Sequence, residues 1–420
     1  MQLPNLSSPF CCSLLLLSMT ACNDSAMPDG TLTETPASLA VALDSAALDT
    51  FITAQLSELR LPGVAIAIVN GEGIEYSAGY GWADVEGQVA MTPNIVLNIA
   101  SISKTVTNVA VLQLRDRGLL ALDDDVSQHL PFPVRHPAFP ETPITVHQLL
   151  THTSGITDGD AYDASYACGD PAVSLGDWIR GALVPGGAFY SAGQNYLPTG
   201  PGEAYDYSNI GYGLLGFLVE QISKRPFAAY VEAEVFSPLG MEESGWYLSD
   251  IEPGLHATPY AWVEAGETLD NALFGDLNEQ VTDASQFVPF CPYSFYNIPD
   301  GLVRTSVDQL ARYLIAHIRG GEIGEARILA QATVEEILSS QLDPALLGDE
   351  GGTQGLTWRR QNFEGVKTWG HSGADPGVRT HMMFVPASGR GVIVFANRAA
   401  SLKPILLRLL EEATRSGDGS

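Results

Sequence analysis

The sequence predicts an α/β fold in which one sheet is built from both ends of the chain and a mostly helical domain is inserted between them. Two observations carry this. Short β-branched runs occur early, at residues 64–69 and 74–79, and return late, at 355–360, 366–370, 381–385 and 392–397. Between them, from about 131 to 299, helical patterns alternate with Gly-, Pro- and Tyr-rich loops. The 420 residues, 45% hydrophobic and 17% charged, suffice for a sizeable core in one or two domains. No repeat of fixed period is visible, which argues against a solenoid or propeller.

In chain order, residues 43–59 carry a helical pattern that Pro62-Gly63 breaks. The strand 64–69 then turns at Asn70-Gly71 into a partner strand over 74–79. Residues 98–118 form the next helix, with Arg115 and Arg117 in the last turn and Gly118 as the stop. Val106, Val109, Ala110, Val111, Leu112 and Leu114 make it apolar almost all round, the pattern of a helix buried in a core. The irregular stretches 157–203 and 248–300 exceed simple connectors, and loops of that length shape binding sites. Helical patterns follow at 306–319 and 331–340, then the late strands, then an amphipathic helix at 402–414.

The N-terminus reads as a targeting segment. Residues 10–19 are an apolar run too short to span a bilayer, followed by Thr20, Ala21 and Cys22. This resembles the lipobox of a bacterial lipoprotein. The resemblance implies a signal peptide over 1–22, a lipid on Cys22, and a protein held by that lipid in the bacterial cell envelope; plain secretion is the alternative. Residues 23–42, rich in Ser, Thr, Pro, Asp and Ala, read as a flexible tether. No other stretch is long enough for a membrane helix. Of the 5 cysteines, Cys11 and Cys12 leave with the signal and Cys22 carries lipid. The remaining pair, Cys168 and Cys291, is expected to form a disulfide in an oxidising compartment, two unrelated buried thiols being the alternative. A formal net charge of −28 repels phosphate backbones and argues against nucleic-acid binding.

Three short motifs carry chemistry. Ser101-Ile102-Ser103-Lys104 opens the buried helix, and a spacing of three puts Ser101 and Lys104 on one face. A serine hydroxyl needs a neighbouring base, and a lysine serves if desolvation lowers its pKa toward neutrality. The chain has only four lysines (Lys104, Lys224, Lys367, Lys403), so one at a motif position carries weight. Tyr207-Ser208-Asn209 precedes the apolar run from Ile210. The phenol can relay the Ser101 proton and the Asn209 amide can hold Lys104 and substrate, although Ser208 or Asn209 also suits a plain helix cap. His371-Ser372-Gly373 follows the strand at 366–370; the N–H of Ala374 beyond it could pair with that of Ser101 as an oxyanion hole.

Together these motifs resemble the serine β-lactamase and penicillin-binding protein superfamily, in particular its class C β-lactamase-like branch with DD-peptidase, D-aminopeptidase and esterase relatives. The resemblance covers about residues 45–415. Leu61-Pro62-Gly63-Val64, the run from Leu149 to Ile156, and Asp300-Gly301-Leu302 with Asp308 and Leu310 look like supporting landmarks. It implies a β-lactamase/transpeptidase-like fold, an antiparallel sheet flanked by helices, with an α/β part at about 43–100 and 302–415 and a helical part at about 101–301. It implies a catalytic set of Ser101, Lys104 and Tyr207, with Asn209, His371, Ser372 and Gly373 on the substrate. It also implies an acyl-enzyme hydrolysed by water, with no metal or organic cofactor.

One departure bears on substrate. His371 stands where β-lactamases usually have a lysine, and a neutral imidazole is a weaker clamp for a carboxylate. The expected activity is therefore an esterase or a peptidase acting at D-residues, with β-lactamase as the alternative. Arg379 is a candidate to restore positive charge. Lys367-Thr368-Trp369-Gly370 is a near miss for the family's K-T-G. Two other readings compete. Gly370-His371-Ser372-Gly373-Ala374 is close to a nucleophile elbow, but fewer than fifty residues remain for an acid and a histidine. A catalytically silent envelope protein could use the same cleft to bind peptidoglycan fragments or a partner. The histidines show no metal-ligand spacing.

Overall fold

The run at 64–69 lacks a polar face because both of its faces are covered. In the computed structural model, which describes residues 44–348 and 351–415, it is strand β1 (Gly63–Val69), buried along its whole length. Its companions are β2 (Ile74–Asp84), β3 (Val89–Ala90), β4 (Thr353–Gln354), β5 (Arg359–Phe363), β6 (Val366–Asp375), β7 (Val378–Val385) and β8 (Arg390–Ala396). They form one antiparallel sheet of eight strands in the order β4-β5-β6-β7-β8-β1-β2-β3. Val64 pairs with Ala396, so the sheet is closed by strands from the two ends of the described chain, as the sequence predicts.

Helices α1 (Ser45–Glu58), α2 (Ser103–Asp116), α3 (Asn209–Ser223), α4 (Val307–Ile318) and α5 (Lys403–Arg415) dominate the packing. Successive side chains of a strand point to opposite faces. Val64, Ile66 and Ile68 therefore meet Leu48 and Ile52 of α1 and Ile405 and Leu409 of α5. Ala65, Ala67 and Val69 face a second cluster that contains Val106, Val109, Leu310 and Leu314 of α2 and α4. Every residue of α2 from Ser103 to Leu114 is buried, as its all-round apolarity predicts.

Three boundaries differ from the sequence reading. The predicted helix at 98–118 is in part something else: Leu97–Asn98 pairs with Arg304–Thr305, Ala100–Ile102 is a single 3-10 turn, and only then does α2 begin. Strand β6 runs on to Asp375, so His371-Ser372-Gly373 lies within a strand and not after it. The run at 355–360 splits, because Thr357 takes a φ of 72° and the chain turns there before β5 begins. The β1–β2 turn spans Asn70 to Gly73, where the Asn70 side chain accepts the amides of Glu72 and Gly73 at 2.7 and 3.0 Å.

The predicted signal peptide with Cys22 and the whole of the predicted tether, 23–42, lie outside the described residues. No described helix is long and apolar enough to cross a membrane.

Candidate active site

Ser101 sits in the 3-10 turn ahead of α2, and this turn is pinned from three sides. The Ile99 N–H donates to the Val303 carbonyl at 2.8 Å, and the Val303 N–H donates to Ser103 Oγ at 3.0 Å. Thr380 Oγ1 of β7 donates to the Ile99 carbonyl at 2.9 Å. Between them Ala100 is held at a φ of 46°, in the left-handed region that non-glycine residues seldom occupy. Such strain persists where surrounding contacts over-determine the backbone, and it clusters at sites of function.

Lys104 is fully buried and surrounded by acceptors. Its Nζ donates to Ser101 Oγ at 3.1 Å, Asn209 Oδ1 at 2.7 Å and the Asp300 carbonyl at 3.0 Å, with Asp300 Oδ2 at 3.3 Å. It lies 4.9 Å from the centroid of the Tyr207 ring. The expectation that burial lowers its pKa toward neutrality is not met. Burial is the largest influence and pulls downward, but Tyr207, Asp300 and Asp158 outweigh it and hold the pKa above the ordinary lysine value. An ammonium has three donors and no lone pair.

Tyr207 and Asn209 flank the start of α3. Ser208 caps that helix, its Oγ accepting the Gly211 N–H at 3.0 Å, which leaves the Asn209 amide free for the site. The Asn209 Nδ2 donates to Asp158 Oδ2 at 2.8 Å, and Asp158 also accepts the backbone amides of Asn209 and Ile210 at 2.9 Å. Burial raises the pKa of Asp158 against these donors. His152, in the turn after the short helix Val146–Leu150, does more than shape that turn. It adopts a φ of 58°, stacks on Tyr207 with ring centroids 4.3 Å apart, and accepts the Ser208 N–H on Nδ1 at 3.1 Å. Burial holds its pKa well below the ordinary value, so it is neutral.

The third motif reaches the site along β6. Pairing with β5 ends at Arg359 and Gly370, so the edge from His371 to Asp375 opens toward the cleft. Gly373 is required by close approach: a Cβ there would lie 2.4 Å from the Ile99 carbonyl oxygen and 2.5 Å from Thr380 Oγ1. His371 Nδ1 lies 2.7 Å from the Ser372 carbonyl. A carbonyl only accepts, so Nδ1 carries the proton. Burial pushes the pKa of His371 down to about 3. Lys367 is exposed and pairs with Asn362 outside the cleft, so the His371 register is the one that faces Ser101. Ser372 lies in mid-strand opposite His381, not at a strand-to-helix turn, which removes the nucleophile-elbow reading.

The result is a cleft of about 360 Å³ lined by Ser101, Tyr207, Asn209, His371, Ser372, Gly373 and Ala374. Tyr162, Tyr166, Asp300, Asp375, Arg359 and Arg379 complete its walls. Asp158, Tyr162, Tyr166 and Asp300 come from, or border, the two long irregular stretches singled out in the sequence. Tyr162 OH donates to Asp300 Oδ2 at 2.9 Å and Asn297 Nδ2 to Asp300 Oδ1 at 2.7 Å. Burial pushes Asp300 up to about 6, more than Lys104 and these donors pull it down. Tyr166 OH donates to Asp375 Oδ1 at 2.7 Å, and burial pushes Asp375 up to about 7. Cys168 and Cys291 are joined by a disulfide that ties the two stretches together beside this wall. Among the described residues no cluster of His, Cys, Asp and Glu could hold a metal ion.

Comparison with known proteins places the family and the fold. The Beta-lactamase family model matches residues 48–413, and the chain belongs to that family. "Protein flp" of Staphylococcus aureus (strain MRSA252) is 25% identical over 364 residues, 86% of this chain; the chain spans 65% of that relative's length. The octameric penicillin-binding protein homologue from Pyrococcus abyssi superimposes with a TM-score of 0.67 at 26% identity, over 90% of this chain and 79% of the other. The D-amino acid amidase from Ochrobactrum anthropi SV3 shares the fold, with a TM-score of 0.68 at 21% identity over 89% of this chain and 99% of the other. The chain is thus a member of the serine β-lactamase/transpeptidase superfamily, whose fold and serine hydrolase ancestry it shares.

Proposed function

We propose that the protein is a serine hydrolase that forms an acyl-enzyme on Ser101 and acts on ester or amide carbonyls, either as an esterase or as a peptidase at D-residues. The observation that carries this is the Lys104 ammonium, which donates to Ser101 Oγ while facing Tyr207. Because an ammonium cannot accept a proton, Tyr207 is the group that takes it from Ser101, with Lys104 stabilising the phenolate and then the alkoxide. The new oxyanion is held by the N–H groups of Ser101 and Ala374. Tyr207 returns the proton to the leaving group and afterwards activates the deacylating water. Asn209, His371, Ser372 and Gly373 hold substrate.

The neutral His371 supports substrates that do not depend on a cationic clamp at this position. Arg359 and Arg379 on the cleft wall favour a second reading, a carboxylate-bearing substrate such as a β-lactam. A lipid on Cys22 would hold the enzyme at the cell envelope. The test is intact-mass detection of acylated protein with short-chain aryl esters, D-alanyl peptides and a cephalosporin, together with fluorophosphonate labelling. Ser101→Ala should abolish both adducts and turnover. Turnover at a near-normal rate in Ser101→Ala would end this mechanism, and no labelling of either form would favour a silent binding protein.

A further inference from the structure

The route just described gives no task to the Asp300 carboxylate, although it is one of the most buried charges in the molecule. Its side chain is 3% exposed and that of Lys104 0%. The hydrogen-bond count does not explain it. Ser101 Oγ, Asn209 Oδ1 and the Asp300 backbone carbonyl already take the three protons of the ammonium. The carboxylate is a fourth acceptor at 3.3 Å, so what it adds is negative charge. That charge is aimed by two donors from separate segments, Tyr162 OH and Asn297 Nδ2. Burying a carboxylate is expensive even beside a cation.

We propose that Asp300 is a positioning residue for the Ser101 reaction: its charge holds Lys104 as an ammonium against Ser101 Oγ and fixes the pH window in which the serine reacts. This rests on Ser101 being the nucleophile. The groups facing the pair define what that charge acts on. Lys104 also meets Tyr207 and Asp158, and the Tyr212 ring at 5.6 Å. His152 and His371 feel its charge and that of Arg359, but burial keeps both imidazoles neutral. On its other side Asp300 faces Tyr162, Tyr166, Asp158 and Asp375, of which burial keeps the two phenols un-ionised.

The sign follows from electrostatics. An anion raises the proton affinity of a neighbouring amine, so removing it lowers the pH at which Lys104 gives up its proton. The experiment measures the rate constant for fluorophosphonate labelling of Ser101, by intact mass, across pH for the wild type, Asp300→Asn and Asp300→Ala. Thermal melts are recorded on the same samples. Both variants should move the limb of the profile set by Lys104 to lower pH, by about one to three units. A profile that stays in position while only its height or the melting temperature falls would make Asp300 a structural brace and overturn the proposal. If neither variant folds, Tyr162→Phe removes one donor that keeps Asp300 ionised. A smaller shift in the same direction then supports the proposal, and an unmoved profile overturns it. Labelling that survives in Ser101→Ala would instead defeat the nucleophile assignment, a result distinct from either.

Discussion

The imidazole of His152 lies against the phenol ring of Tyr207 with the planes 27° apart, and its Nδ1 takes the backbone N–H of the next residue, Ser208. One side chain therefore fixes both the ring and the backbone that carries it. His152→Ala should slow acylation about 10²-fold by letting the phenol drift, without abolishing labelling of Ser101. Ester turnover measured beside fluorophosphonate labelling checks this; an unchanged acylation rate would show that the stack is dispensable.

In the proposed mechanism Lys104 and Tyr207 act on the same proton, so their loss should not add. Lys104→Ala and Tyr207→Phe are each expected to cost on the order of 10³-fold or more, and the double variant little beyond the worse single one. Stability separates them. Lys104→Ala leaves Asp300 buried without its cation and should cost about 3–5 kcal/mol in urea unfolding, whereas Tyr207→Phe should not.

Gly373→Ala would drive a methyl group into the Ile99 carbonyl and Thr380. The strand edge would then be levered away from the Ser101 turn. A loss of about 1–3 kcal/mol is expected from overpacking, with labelling of Ser101 falling further than stability alone accounts for. Denaturant melts and labelling rates on one sample distinguish the two effects.

The Cys168–Cys291 bridge spans 123 residues of sequence, a long loop whose closure restricts the unfolded chain. Cys168→Ser should lower stability by about 2–4 kcal/mol, and dithiothreitol should do the same to the wild type but not to the variant.

Asp375 supplies a pH test. Burial raises its pKa from 3.8 to about 7, so over that interval the folded protein binds a proton that the unfolded chain has lost. The stability this contributes is complete below the unfolded value and is lost as pH rises through about 7. Asp375→Asn has no such loss. Its melting temperature should gain on the wild type between about pH 4 and pH 8, by the equivalent of at most about 4 kcal/mol. A gap that stays constant over this range would refute the titration.

Much of the site was legible because its chemistry falls on rare or tightly spaced residues. Lys104 stands out among four lysines, and Ser101 lies three positions before it. The carboxylates are harder to see: Asp158 and Asp375 are two of 49 acidic residues, and Asp300, though part of the Asp300-Gly301-Leu302 landmark, is marked as a site group only by its burial and contacts. The role of His152 is hidden in the sequence because nothing local announces that Tyr207, far along the chain, will stack on it. The start of α2 is not legible in the sequence because alanine is the strongest helix former, and the left-handed backbone of Ala100 is imposed by tertiary contacts. Strand β6 seemed to stop at Gly370 because glycine there and at 373 suggests a turn, when in fact each lets another segment come close.

The pairing of Val64 with Ala396 has a consequence for biosynthesis. A ribosome that has already released Ser101 must still deliver every strand from Thr353 to Ala396 before the sheet can close around the turn that carries it. Such non-local pairing forms slowly. On the proposed mechanism, the Ser101 turn therefore gains its full setting only once the last strand, β8, has been delivered.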